Sequence, residues 1–328
     1  MTYVFLLFYS EQINRVIMEK LMKFLICAFA SVIAFFGSLT AQNIDDAYST
    51  NVFSTGDSPS VEIQTSGGAI VAEGHSNDEV RVYMIVRRGN RTLSPSDFDL
   101  DDFEINISQD GNTITARAER KNRGIGGWFG SNNNVSISFV VHAPTGSYVD
   151  GSTSGGSVTA RNFMNNVNLR TSGGSVTAEA IRGNADLRTS GGSINLNDVH
   201  GTVNGRTSGG SIRVDGLTGP ADLRTSGGSI RLENVSGGIT ARTSGGSIRA
   251  HLTEFTEDLD LRTSGGSITV DMPETDNFEM DLSGNRVNVQ LRNFTGSSER
   301  DRVEGTIGNG GPMLAARTSG GSVTVNYD

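Results

Sequence analysis

A four-residue motif, Thr-Ser-Gly-Gly, returns along this chain at a fixed interval, and that interval limits the fold more than any other property of the sequence. The motif starts at Thr65, Thr153, Thr171, Thr189, Thr207, Thr225, Thr243, Thr263 and Thr318. From Thr153 to Thr243 every step is 18 residues, and the step to Thr263 is 20, a two-residue insertion. A regular period of this kind marks an architecture in which each unit stacks on the next.

Aligned on its threonine, one unit reads approximately TSGGSIxLxxVxGxVxLR. Apolar residues alternate with polar ones on both sides of the Gly-Gly pair, the period of a strand with one buried face. In the Thr189 unit, Ile194, Leu196, Val199 and Val203 are the expected inward positions. The paired glycines are expected to bend the chain by adopting positive φ, where a Cβ would clash. A second turn is expected at Asn197-Asp198, Asp215-Gly216 or Glu233-Asn234, and a third at Gly183, Gly201, Gly219 or Gly237. Three corners leave strands of about three to five residues, too short to bury an apolar face alone. The fold class that follows is all-β: a parallel β-solenoid, or β-helix, of 18-residue coils about 4.8 Å apart. The threonines share the inward parity and are expected to form a buried ladder, hydroxyls bonded to one another or to corner carbonyls. Left unpaired, each hydroxyl would cost about 1–3 kcal/mol.

The stack is expected to continue past the clear repeats. FEMDLSGNRVNVQL keeps the alternation with Leu282 in the threonine place, and from Leu282 to Thr318 is 36 residues, two further periods. NFTGSSERD around Gly296 reads as an excursion. With SVTVN so near Asp328, no separate C-terminal sorting or anchoring domain is expected, and the edge at Val323 to Tyr327 carries no evident block. Before Thr153, VEIQTSGGAIVAEG reads as one isolated coil, whereas VRVYMIVRR, FEINISQ, NTITARAER and VSISFVVHAP are longer strands with hairpin signals such as Asp110-Gly111. Residues 42–150 are therefore expected to form a β-rich N-terminal cap that includes one TSGG coil, and residues 151–328 the solenoid of 18-residue repeats. Such a cap covers an otherwise adhesive terminal edge.

Lys20 and Lys23 precede an apolar run from Phe24 to Phe36, followed by small residues to Ala41. This is the pattern of a secretory signal peptide over residues 1–41, cut near Ala41–Gln42, with residues 1–17 as a start-site extension ahead of Met18 or Met22. This run of 13 residues, apolar but for Ser31, falls short of the roughly 20 that a spanning helix needs. The mature chain is therefore expected to carry no transmembrane span and to be exported to the periplasm, cell surface or medium. Cys27, the one cysteine, lies inside the apolar run, so no intramolecular disulfide can form. A net charge of −9 argues against broad attraction to nucleic acid. Forty-two glycines against six prolines suit short strands and tight turns.

The signal segment, the β-rich lead ending in FVVHAPTGSYVDGSTSGGSV, the repeated TSGGSI coils and the terminal EGTIGNGGPMLAARTSGGSVTVN together resemble a bacterial family of exported domains known as the “putative adhesin” family. The resemblance covers nearly all of the chain beyond the signal segment. It implies a β-helical, exported, non-catalytic protein that binds or scaffolds at the cell envelope, and it implies no catalytic or ligand residues.

Catalytic and metal chemistry find little support in the residues themselves. A polysaccharide-active β-helix would need a singular pair of carboxylates, whereas Asp186, Asp222 and Asp260 recur at one repeat position, the mark of a structural ladder. His75, His142, His200 and His251 are too widely spaced for a ligand set, and the calcium-binding GGxGxDxUx repeat is absent. No cofactor is expected. An ice-binding solenoid would need its threonines outward, and a self-assembling scaffold would need a bare terminal edge.

Two features stand out as binding candidates. Trp128, in the loop NRGIGGWFGSNNN, either contacts a glycan or partner from an exposed tip or folds back to plug the cap, which its large apolar area favours. The second candidate is the position before each threonine, where Arg170, Arg188, Arg206, Arg224, Arg242 and Arg262 recur on consecutive coils with an outward parity. Two residues earlier stand Asn168, Asp186, Asn204, Asp222, Thr240 and Asp260, so three acids face six arginines. Read structurally, this is a solvated ladder of partly paired charges, each exposed pair contributing about 0–1 kcal/mol. Read functionally, it is a basic stripe suited to the carboxylates or phosphates of acidic glycans or other envelope components.

Overall fold

Every period contributes one strand to each of two sheets, and the same position of successive coils meets in register. The computed structural model describes residues 44–121 and 135–327. The chain divides into a unit of residues 1–45 and a unit of residues 46–328. The segment read as a signal peptide and the loop with Trp128 lie outside the described residues, and the fold described below is that of the second unit.

One sheet, here the arginine sheet, carries short strands such as Ala185–Arg188, Val203–Arg206 and Ala221–Arg224. The other, the kinked sheet, carries longer ones such as Ile194–His200, Ile212–Thr218 and Ile230–Ser236. Each sheet has 14 strands, and through the repeats all of them pair in parallel. This is a parallel β-solenoid. Ile194 pairs with Val176 and Ile212, and Leu187 with Leu169 and Gly205, so identical positions build continuous apolar columns between the sheets. Ile194, Val199, Val203 and Leu187 are fully buried and Leu196 nearly so, as the alternation requires.

The second expected turn is a kink within a strand rather than a break between strands. Asn162, Ala180, Asp198, Gly216 and Asn234 stand one per coil with φ of 62°, 52°, 52°, 74° and 54°. One left-handed residue leaves Asn197 and Asp198 both facing outward and returns Val199 to the core, so the strand changes parity without losing its ladder. The third corner is where left-handed glycines occur: Gly201, Gly219 and Gly237 have φ of 146°, 128° and 106°.

The Gly-Gly corner works differently from expectation. Neither glycine of any TSGG copy is among the positive-φ residues. What excludes a side chain is the coil below: a Cβ on Gly192 would lie 2.0 Å from the carbonyl oxygen of Gly174, and one on Gly210 2.1 Å from that of Gly192. The first glycine is far less confined, since a Cβ on Gly191 would stand 3.5 Å from the Gly173 oxygen. Close backbone approach, not backbone freedom, makes the second glycine obligatory.

Beneath this corner runs the threonine ladder. Thr171, Thr189, Thr207, Thr225, Thr243 and Thr263 are all buried. The Thr189 hydroxyl donates to the Gly174 oxygen at 2.8 Å and accepts from the Gly192 N–H at 3.2 Å, and each later copy repeats the pair. One hydroxyl thus joins its own corner to the corner below. The final serine adds a second seam, the Ser193 hydroxyl accepting the Ser211 N–H at 3.3 Å.

At both ends the order of levels departs from the order of the chain. The coil of Ser60–Thr65 and Ile70–His75 sits directly against that of Tyr148–Thr153 and Val158–Phe163, and the Thr153 hydroxyl donates to the Gly68 oxygen at 2.8 Å. Beyond it lie Thr113–Arg120 and Val135–Pro144, both parallel to that coil, and then the antiparallel strands Phe103–Asp110 and Glu79–Arg88. Phe103–Asp110 and Thr113–Arg120 form the hairpin expected at Asp110-Gly111, with Gly111 at φ 57°.

At the other end, Met313–Thr318 and Ser322–Tyr327 lie between the Thr263 coil and the strands Phe278–Ser283 and Arg286–Val289. The two further periods exist, but in reverse order along the stack. Leu282 pairs with Ala316 and so stands two residues short of the threonine place. Val323 to Tyr327, expected as an edge, is paired on one side along its length and through Val325 on the other. The excursion around Gly296 forms an antiparallel hairpin, Phe294–Ser298 with Arg302–Ile307, laid against Phe278–Ser283.

Candidate functional site

The outer face of the arginine sheet gathers the polar residues that the repeat turns away from the core. Strand register aligns Arg170, Arg188, Arg206, Arg224, Arg242 and Arg262 on consecutive rungs and adds Arg317 beside Arg262. Arg317 precedes the last TSGG copy and was legible from the same motif, but its distance from Thr263 in the chain hides that it is the next rung.

A second column stands two residues earlier: Asp150, Asn168, Asp186, Asn204, Asp222, Thr240, Asp260, Ala315 and Asp281. Carboxylates occupy alternate rungs throughout. Asp186 holds Arg188 through two bonds of 3.0 Å, Asp222 holds Arg224 at 2.8 Å and Arg206 at 3.3 Å, and Asp260 holds Arg262 at 2.7 Å and Arg242 at 2.8 Å. Asp281 pairs with Arg317 and, at 3.7 Å, with Arg302. Arg170 makes no ion pair among the described residues.

Burial works to raise the carboxyls of Asp222 and Asp260. Hydrogen bonds from their two arginines, with the guanidinium charges, outweigh it and hold both below the ordinary 3.8. These acids are fixed as anions that clamp neighbouring rungs, the opposite of a general acid kept protonated for catalysis. The repulsion expected between stacked guanidinium groups is thereby offset, though the arginines still outnumber the carboxylates that hold them.

Toward the N-terminal end of the face the pattern changes. The rungs before Arg170 carry Ser152 and Gln64 in the arginine place, while Asp150 and Glu62 remain in the acid place. Here the surface dips into a half-open groove of about 450 Å³ lined by Glu62, Tyr148, Asp150, Asn168, Asp186 and Asn204, among others. The sequence reading missed this groove because its rungs come from coils 88 residues apart, Thr65 and Thr153. The signal available was the exchange of arginine for Gln64 and Ser152.

The family model described as Toastrack DUF4097 matches residues 58–326. Two solved structures match the chain over most of its length. One, described as a “putative cell adhesion protein” from Clostridium sporogenes, is 9% identical over 85% of this chain and 99% of that one, with a TM-score of 0.21. The other, a “putative adhesin” from Bacteroides fragilis, is 13% identical over 85% of this chain and 96% of that one, with a TM-score of 0.33. No curated protein matches the sequence. Among the described residues, no helix is long and apolar enough to cross a membrane.

Proposed function

The chain belongs to the Toastrack DUF4097 family, and from that premise we propose that it is an exported, non-enzymatic, adhesin-like protein of the cell envelope that docks an anionic glycan along its arginine sheet. The observation that carries this reading is the arginine column, unbroken over seven rungs from Arg170 to Arg317. A guanidinium group held at one edge by a carboxylate keeps other N–H donors for a ligand carboxylate or sulfate. Rungs about 4.8 Å apart suit a polymer that repeats its charge, because many weak contacts then act together. The basic and apolar pattern of residues 18–41 supports export. Carboxylates that recur in one environment and stay ionised support binding over catalysis.

The test is binding of polygalacturonate to the purified protein at low and at physiological salt. Changing Arg188, Arg206 and Arg224 together to Gln is expected to weaken binding by about tenfold or more, while leaving the fold intact because exposed pairs contribute only about 0–1 kcal/mol each. Salt should weaken the parent more than the variant. Equal binding by parent and variant, or none by the parent at low salt, would reduce the column to architecture.

A further inference from the structure

We propose a second binding site, for an uncharged glycan chain, in the groove around Tyr148. It lies on the same sheet face as the arginine column but is built from different chemistry, and it stands or falls independently of anion docking.

Glu62, Asp150, Asn168, Asp186 and Asn204 occupy five consecutive rungs in register. At about 4.8 Å per rung the row runs roughly 20 Å, the reach of a chain of several sugar rings rather than one. Beside it stand Tyr148, Asn166 and Asn184, which also line the groove. A smaller groove of about 260 Å³ adjoins the first, shares Glu62 and Asp150, and adds Gln64, Arg117 and Ser152.

Most of the hydrogen-bonding groups here are unspent, Asp186 being the exception because Arg188 holds both its oxygens. Glu62 has no side-chain partner among the described residues, and Asp150 accepts only from the Asn168 amide nitrogen at 2.7 Å. Asn166 and Asn184 use their side-chain oxygens to accept the N–H groups of Asn184 and Thr202 at 2.9 and 3.0 Å, which leaves their amide nitrogens as free donors. Unpaired acceptors and unpaired donors along one row are what sugar hydroxyls need, since each hydroxyl both donates and accepts. Tyr148, 47% exposed, supplies the apolar face on which a pyranose ring can lie, and its hydroxyl has no partner among the described residues.

Other ligands fit worse. Glu62 and Asp150, which no arginine holds, repel an anionic polymer, and an apolar ligand would strip water from carboxylates without replacing its bonds. Glu62 and Asp150 face each other on adjacent strands without the arginine found on later coils, an arrangement that costs stability in the free protein. Hydroxyl donors from a bound sugar relieve that cost.

The experiment measures binding of uncharged glucan, mannan and xylan hexasaccharides to the purified protein by calorimetry and by tyrosine fluorescence. At least one is expected to bind, and Tyr148→Ala and Glu62→Ala should each weaken it by about tenfold. Both side chains are exposed, so both variants should fold, which thermal melting checks. A variant with Arg224, Arg242 and Arg262 changed together to Gln, on rungs beyond the groove, should bind the same hexasaccharide as the parent does. Absence of binding by all three sugars, or binding unchanged in both single variants, overturns the proposal.

Discussion

All five residues of TSGGS contact a neighbouring coil, the first serine through its backbone alone. Threonine donates to a glycine carbonyl of the coil below, the second glycine leaves room for that carbonyl, the first glycine's N–H donates to the first serine's carbonyl of the coil below, and the last serine accepts an N–H from the coil above. Only the first serine, Ser190 in the Thr189 coil, is exposed with no side-chain bond among the described residues. The consequences of substitution should therefore differ sharply within one motif. Gly192→Ala forces a methyl group to within 2.0 Å of the Gly174 oxygen, and the backbone shift it demands should cost about 2–4 kcal/mol. Thr207→Val removes a hydroxyl bonded to the Gly192 oxygen at 2.8 Å and the Gly210 N–H at 3.4 Å, at about 1–3 kcal/mol. Ser190→Ala should stay within about 0.5 kcal/mol of the parent. Denaturant midpoints give the ranking, and a Gly192→Ala protein as stable as the parent would contradict the stacking role assigned to that glycine.

A single strand cannot bury its own apolar side, so an element is stable here only through the strands on either side. Ile194–His200 shows the dependence: Ile194 is fully buried between Val176 and Ile212, while Asn195, its neighbour in sequence, faces out. Ile194→Asp places an unpaired charge in a core two sheets thick and should cost about 4 kcal/mol or more, whereas Asn195→Asp should change stability little. Comparable melting temperatures for the two variants would mean that the inward and outward faces are assigned wrongly. The kink at Asp198 belongs to the same logic. Because its left-handed residue resets parity, the strand delivers Val199 to the core beyond the corner, and a continuous alternation would have turned that side chain to solvent.

For the residue 46–328 unit, the reversed levels at both ends are the main departure from simple repetition. A strand late in the chain, Ser322–Tyr327, is held in the interior of the kinked sheet by the Thr263 coil on one side and Arg286–Val289 on the other. Its amides should therefore exchange with solvent slowly, close to those of Ile230–Ser236 in the middle of the repeats and well below those of the edge strand Arg286–Val289. Hydrogen exchange read by mass spectrometry or NMR checks this, and fraying of Val323 to Tyr327 ahead of Arg286–Val289 would refute the level order. The same reversal leaves only short strands at that end, four residues in Arg286–Val289 and five in Phe294–Ser298. Short edges offer little template for pairing with a second copy, which weighs against the self-assembling scaffold.

The 18-residue interval, the alternation around it and the parity of Thr189, Ile194 and Arg188 were enough to determine a parallel solenoid with buried threonines and outward arginines. These follow from local geometry, because a period-two pattern assigns each side chain to a face and an exact repeat leaves stacking as the only burial available. Other properties depend on which segments become neighbours, and spacing along the chain does not state that. The need for Gly192 comes from a carbonyl 18 residues away in sequence that lies directly beneath it. The clamping of Arg206 by Asp222 and of Arg242 by Asp260 reaches across rungs, where the sequence shows only that acids recur at one position. The place of Leu282, the interior position of Val323 to Tyr327 and the groove joining Glu62 to Asp150 were decided by end levels that stack out of chain order, for burial rewards contact in space irrespective of when the chain supplies it.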